Sequence, residues 1–141
     1  MGVGLEPEEA PISQSAEKPQ AEAVILLDTH AIIWVVRHHR RTRGLVGRPS
    51  LRVSPVSILE LRLLAEVGRI RLAIRDVLAD DRWRVDEPPS ADWFISAVEE
   101  SWTRDPFDRL LVAHARLRGW RLATADAEIL THLRPSERFE L

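Results

Sequence analysis

Residues Trp102–Leu130, WTRDPFDRLLVAHARLRGWRLATADAEIL, decide how the rest of the chain is read. Asp105 stands at an N-cap, Pro106 at the first helical position and Asp108 at the third. The cap's carboxylate can satisfy free backbone N–H groups, and proline sits where its missing N–H costs nothing. Leu110, Leu111, Ala113, His114, Leu117 and Arg118 follow at helical spacing, and Gly119 ends the helix. Trp120–Thr124 (WRLAT) then reads as a short buried strand, with Asp126 just beyond it. A helix feeding a strand this directly is half of a βαβ unit. It sets Asp108 and Asp126 near one edge of a parallel sheet, the edge where such sheets bind ligands.

Upstream, Val24–Asp28 (VILLD) is a continuous apolar run closed by an acid, the pattern of a central parallel strand buried on both faces. Thr29 and His30 lead into a helix over Ala31–Val36. The run Arg37–Arg43 (RHHRRTR) follows, read as the solvated basic end of that helix, with contact to RNA phosphates as the alternative. Leu51–Val53 is a second short strand. Ser54 and Pro55 start a helix reaching about Val67, before Gly68, whose apolar residues occupy most of its circumference and predict deep burial. Glu60 sits among them, a costly place unless it faces solvent, pairs or binds a cation.

Leu72–Leu78 predicts a short helix and Trp83–Val85 a third strand. Ser90 is read as the cap of a helix to about Ser101 with Trp93, Phe94, Ala97 and Val98 on one face. A last short helix over Ala127–Leu133 and an edge strand at Arg138–Leu141 complete the series. Alternating strands and helices with short turns predict a three-layer α/β/α fold with a mainly parallel central sheet.

The chain has 141 residues, 45% hydrophobic and 30% charged, which suits one soluble domain. Residues 1–22, rich in Pro, Glu, Ala and Ser, read as a disordered extension, leaving 23–141 as the folded domain. Those first residues carry five acids and one lysine, so the overall charge of −2 divides into −4 there and about +2 in the remainder. Lys18 is the only lysine, and the body's cations are arginines, compatible with a nucleic-acid partner. Cysteine is absent, which excludes disulfides and thiolate metal sites. No apolar run is long enough to span a membrane and no secretory signal pattern is present, so the expected location is cytoplasmic, away from membranes.

Four carboxylates thus converge: Asp28 and Asp126 at strand ends, Asp108 at a helix start, Glu60 one turn into another helix. Together they would repel one another without a cation, and hard oxygen donors suit Mg²⁺, with Mn²⁺ also possible. Such a cluster can orient and deprotonate water for attack on a phosphodiester, with one or two metals. Each acid also has a local explanation. Asp105 is the helix cap, Asp108 complements the helix dipole, and Asp126 caps the last helix in competition with Thr124. Asp28 alone has little evident structural purpose.

The segments LLDTHAIIW (Leu26–Trp34), VSPVSILELRLLAEVGRI (Val53–Ile70), WTRDPFDRLLVAHA (Trp102–Ala115) and LATAD (Leu122–Asp126) resemble, in order, the motifs of VapC-type PIN-domain ribonucleases, the toxins of VapBC toxin–antitoxin modules. The resemblance runs from about Val24 to Leu133. It implies a Mg²⁺-dependent endoribonuclease acting on RNA, partnered by a VapB-type antitoxin and forming a homodimer. Asp28, Glu60, Asp108 and Asp126 match the family's four acids, and Asp105 an additional acid of the DPFDR subgroup. Thr29 and Thr124 match hydroxyl residues beside the acids, and Arg109 a frequent follower of the third acid, for structural pairing or phosphate contact. The alternatives are a PIN-fold module that binds RNA or protein without catalysis, and a phosphoacceptor receiver domain. The receiver needs a lysine that only Lys18 could supply, and no glycine-rich loop follows Asp28 to support a dinucleotide site.

Overall fold

The computed structural model describes residues 23–141, so the segment 1–22 read as an extension lies outside the described residues. Five short strands form one sheet: β1 (Ile25–Leu27), β2 (Leu51–Val53), β3 (Trp83–Val85), β4 (Arg121–Thr124) and β5 (Arg138–Glu140). Their order is β3-β2-β1-β4-β5, and every pairing is parallel. The chain leaves central β1 toward β2 and later returns to its other side at β4. The C-terminal ends of β1 and β4 therefore flank a topological switch point.

Helices cover both faces because parallel strands require crossovers. On the face bearing Ile25 and Leu27 lie α1 (Thr29–Val36), α2 (Pro55–Glu66) and α3 (Ile74–Ala79), packed through Ile32, Leu61 and Val77. On the face of Leu26 and Leu122 lie α5 (Pro106–Arg118) and α6 (Ala127–His132), through Val112, Ala115 and Ile129. Between α5 and solvent runs α4 (Ser90–Val98), seated by Trp93 and Ala97 against Leu111. Leu26, with no exposed surface, is the pivot of the second layer, and truncation to alanine at such a site costs about 2–5 kcal/mol.

Four local expectations are corrected. The basic run does not extend α1: the helix stops at Val36, His38 turns the chain at φ 54°, and Arg40–Leu45 forms a separate 3-10 helix. In that tighter helix residues three apart eclipse. Thr42 and Leu45 form its buried face, which folds the segment back on the core. Second, α2 is not deeply buried. Only Val56, Ser57 and Leu61 are, whereas Leu59 is 55% and Leu63 40% exposed, because this chain supplies neighbours to only part of its circumference.

Third, Pro89, not Ser90, holds the N-cap position of α4, without a side-chain cap bond. Trp93 and Ala97 point inward, and Phe94 and Val98, one step around the helix, face out. That helix ends at Val98 rather than Ser101, and buried Glu100 turns in to pair with Arg116 at 2.6 Å. Fourth, Asp28 has a structural role: its Oδ1 accepts the Ala31 N–H at 2.7 Å and caps α1.

Three helices close alike. At the ends of α2 and α5, Gly68 and Gly119 adopt positive φ, with paired bonds such as Arg69 N–H to Leu64 O and Trp120 N–H to Ala115 O. The end of α1 has the same bonds, His38 N–H to Val35 O and His39 N–H to Trp34 O, but a histidine in the left-handed position.

Candidate active site

The five acids singled out from sequence line one cleft of about 330 Å³ at the C-terminal edge of the sheet: Asp28, Glu60, Asp105, Asp108 and Asp126. Asp28 follows β1, and Asp126 lies two residues past β4. Glu60 reaches in from α2, which leaves β2 at the same edge. Asp108 comes from the first turn of α5, whose N-terminus points to this edge because the helix runs against the strands.

Each carboxylate is held by its own local structure. Asp28 Oδ1 is the α1 cap, and the Thr124 hydroxyl also bonds its side chain. Thr124 Oγ1 in turn accepts the Asp126 N–H at 3.0 Å, so one hydroxyl joins the two strand-end acids. Asp126 Oδ1 accepts Glu128 N–H and Ile129 N–H at 2.9 and 3.1 Å, capping α6. Asp105 Oδ1 accepts Phe107 N–H at 2.8 Å, so the sequence reading of Asp105 as a cap holds. The Thr29 hydroxyl donates to Glu60 Oε1 at 2.5 Å and lies 3.0 Å from Ser57 Oγ. Arg109 does not line the cleft. Its Nε donates to Thr103 O at 2.6 Å and ties down the loop before the Asp105 cap.

The electrostatics are unbalanced. Burial pushes the Asp28 carboxyl up to about 6, against the Thr124 and Ala31 hydrogen bonds that lower it. Burial, then the charges of Asp105, Asp126, Glu60 and Asp28, pushes Asp108 up to about 7. None of the five acids forms an ion pair among the described residues. The acids also stand apart: among the described residues no three His, Asp or Glu side chains group closely enough to hold an ion directly. The donor set is all oxygen, the chemistry that Mg²⁺ or Mn²⁺ accepts.

Sequence reasoning missed His30, Trp34 and Arg41, which share the cleft. It also missed a second network, in which His114 Nδ1 lies 2.9 Å from Ser54 Oγ and Nε2 2.8 Å from Asp86 Oδ2. Arg118 pairs with the same Asp86 at 2.9 Å. Burial holds the imidazole below its usual range, so the ring is neutral, donating to Asp86 and accepting from Ser54. The order Ser–His–Asp looks nucleophilic, but Ser54 is fully buried as the α2 cap and has no path to substrate.

Residues 25–133 match the family described as PIN domain. The chain is also 34% identical over 121 residues to ribonuclease VapC22 of Mycobacterium tuberculosis (strain ATCC 25618 / H37Rv), spanning 79% of this chain and 93% of that protein. The chain belongs to the VapC-type PIN-domain family. Solved structures agree on the fold of this PIN domain. A toxin–antitoxin complex from Klebsiella pneumoniae superposes with a TM-score of 0.62 at 16% identity, covering 83% of this chain and 99% of its own. PAE2754 from Pyrobaculum aerophilum does so at 0.58 and 21% identity, covering 84% and 90%. Among the described residues no helix is long and apolar enough to cross a membrane.

Proposed function

We propose that this PIN domain is a divalent-cation-dependent endoribonuclease and the toxin of a type II toxin–antitoxin pair. One observation carries the reading: five carboxylates without a pairing cation line a single cleft at the switch point of the sheet. Its relative's name, ribonuclease VapC22, supports RNA as the substrate.

In this reading Asp28, Glu60, Asp108 and Asp126 would hold Mg²⁺ or Mn²⁺, in part through waters. When bound, the cation opposes the charge growing on the scissile phosphate and makes water more acidic. The chain's part is positioning. Thr29 holds Glu60 Oε1 and Thr124 bonds the Asp28 carboxylate, and the α1 and α6 N–H groups fix Asp28 and Asp126. The carboxylates orient a water in line with phosphorus and accept its proton. The new P–O bond forms as the P–O3′ bond breaks, and the departing 3′ oxygen takes its proton from solvent water while the carboxylate returns the one it accepted to solvent. Water rather than the ribose 2′-OH attacks, so the products carry 5′-phosphate and 3′-hydroxyl ends.

The partners proposed are a VapB-type antitoxin and a second copy of the chain. Exposed Leu59 and Leu63 on α2, and Phe94, Ile95 and Val98 on α4, give apolar area that a protein partner would cover.

The test is cleavage of total bacterial RNA by purified, antitoxin-free protein beside its Asp28→Asn variant. Discrete fragments with Mg²⁺ or Mn²⁺, absent in EDTA and absent in the variant, are expected. Folded wild-type protein that leaves RNA intact would instead favour the non-catalytic binding module.

A further inference from the structure

The connection between α1 and β2 is the most basic segment of the described chain. Between Arg37 and Arg48 it carries five arginines, two histidines and no acid. An acidic cleft repels a polyanion at long range, so a nuclease with this cleft needs attraction from elsewhere.

Folding of this segment sorts its charges. In the 3-10 helix Arg40–Leu45, Thr42 and Leu45 take the buried face. Arg41 points to the acidic cleft, with its guanidinium 5.2 Å from the Trp34 ring centroid. Arg40 and Arg43, eclipsed three residues apart, line a separate cavity of about 590 Å³ on the other side. His38, His39, Arg48 and Arg82 share that cavity, with Asp81 the one acid in its wall.

The charges there are differently committed. Arg82 is paired with Asp80, and Arg48 Nε donates to Gly44 O. Among the described residues the side chains of Arg40 and Arg43 make neither hydrogen bond nor ion pair. His38 lines the cavity from the left-handed position that glycine fills at two other helix ends. Trp34 lies between the two sites, stacked on His39 with centroids 5.1 Å apart. His39 and Arg41 already lie on this ring, so an unpaired base would stack there by displacing one of them.

We propose that this connection is the protein's RNA grip: the basic cavity takes backbone phosphates of a single strand whose scissile bond lies in the acidic cleft, and Arg41 with Trp34 spans the interval. The inference rests on the endoribonuclease reading for the register of the strand, but binding can be tested apart from cleavage.

The experiment measures binding of a short fluorescein-labelled single-stranded RNA to the full chain, in EDTA, across a salt series. Wild type, Arg40→Gln/Arg43→Gln and the control Arg69→Gln/Arg71→Gln are compared, with circular dichroism as the fold check. The cavity variant should bind several-fold more weakly. Its slope of log affinity against log salt should flatten by about 1.4, since each phosphate contact on a single strand contributes about 0.7. The control should match wild type, and Trp34→Ala should weaken binding without changing the slope. Equal affinity and slope in the cavity variant and wild type would overturn the proposal, even if the protein cleaves RNA with Mg²⁺. Binding of inorganic phosphate that Arg40→Gln/Arg43→Gln removes, with RNA affinity unaltered, would also overturn it and leave a small-anion site. Loss of RNA binding in a protein that never cleaves would support the grip and refute the nuclease.

Discussion

Thr29 and Glu60 meet at 2.5 Å across 31 residues of sequence, the hydroxyl from the first turn of α1 donating to the carboxylate from α2. Glu60 has no ion pair among the described residues, so this bond is what aims it into the cleft. Thr29→Val keeps the shape and removes the donor. Metal affinity in the cleft should fall about 10–100-fold, as for other groups that orient ligands. Thr29→Ser should restore it. Calorimetric titration with Mn²⁺ checks both, and an unchanged affinity in the valine variant would show that Glu60 is held otherwise.

The raised carboxyls of Asp28 and Asp108 predict a pH-dependent response to metal. Both are raised in the fold, from 3.8 to about 6 and about 7. Their protonated forms therefore contribute stability that is fully present below pH 3.8 and lost as pH rises through 6 and 7. For the buried Asp28 the loss is on the order of 3 kcal/mol. Millimolar Mg²⁺ should restore stability at pH 8, and its thermal shift should shrink toward pH 5. Asp108→Asn should melt above wild type in EDTA at pH 8, and should lose the cleavage that wild type shows with Mg²⁺. A metal shift of equal size at both pH values would place the ion elsewhere.

His114 predicts the opposite acid response. Burial lowers its folded value below 6.5, so stability is lost as pH falls below 6.5 toward that value, while the unfolded chain takes the proton. The stability difference between wild type and His114→Gln cancels contributions from the cleft acids. That difference should favour wild type by about 1–3 kcal/mol at pH 8, because Ser54 and Asp86 lose a buried partner. It should narrow at pH 5. Urea unfolding at the two pH values measures it; a gap that widens in acid would mean the ring is charged in the fold.

His38→Gly should stabilise the protein by about 0.5–1 kcal/mol. The left-handed conformation costs a side chain roughly 1–2 kcal/mol, partly offset by glycine's greater freedom when unfolded. If the basic connection grips RNA, the same variant should bind RNA more weakly. Paired melting and binding curves test both. A destabilised variant would show that the His38 side chain makes contacts worth more than the strain.

Much of the cleft was legible because its parts are local. Asp105, Asp108 and Asp126 sit at helix starts that obey capping rules, and strands read as parallel must send their C-terminal ends to one edge. The purpose of Asp28 was missed because a carboxylate closing a strand and one opening a helix are the same residue in a chain without an intervening turn. Burial of α2 was overestimated because periodicity records which residues are apolar, not how many neighbours a small domain can supply.

By itself the amino-acid sequence determined the order of strands and helices, their parallel sheet, and the gathering of four acids at its edge. Those follow from periodicity, caps and the handedness of crossovers, all encoded within a few residues. Only the tertiary structure decided that the basic run folds back beside the cleft, that Trp34 and Arg41 stand at its rim, and that His114 joins Ser54 to Asp86. Those contacts join segments as much as 60 residues apart. They depend on which faces pack together, and no local pattern in the chain specifies that.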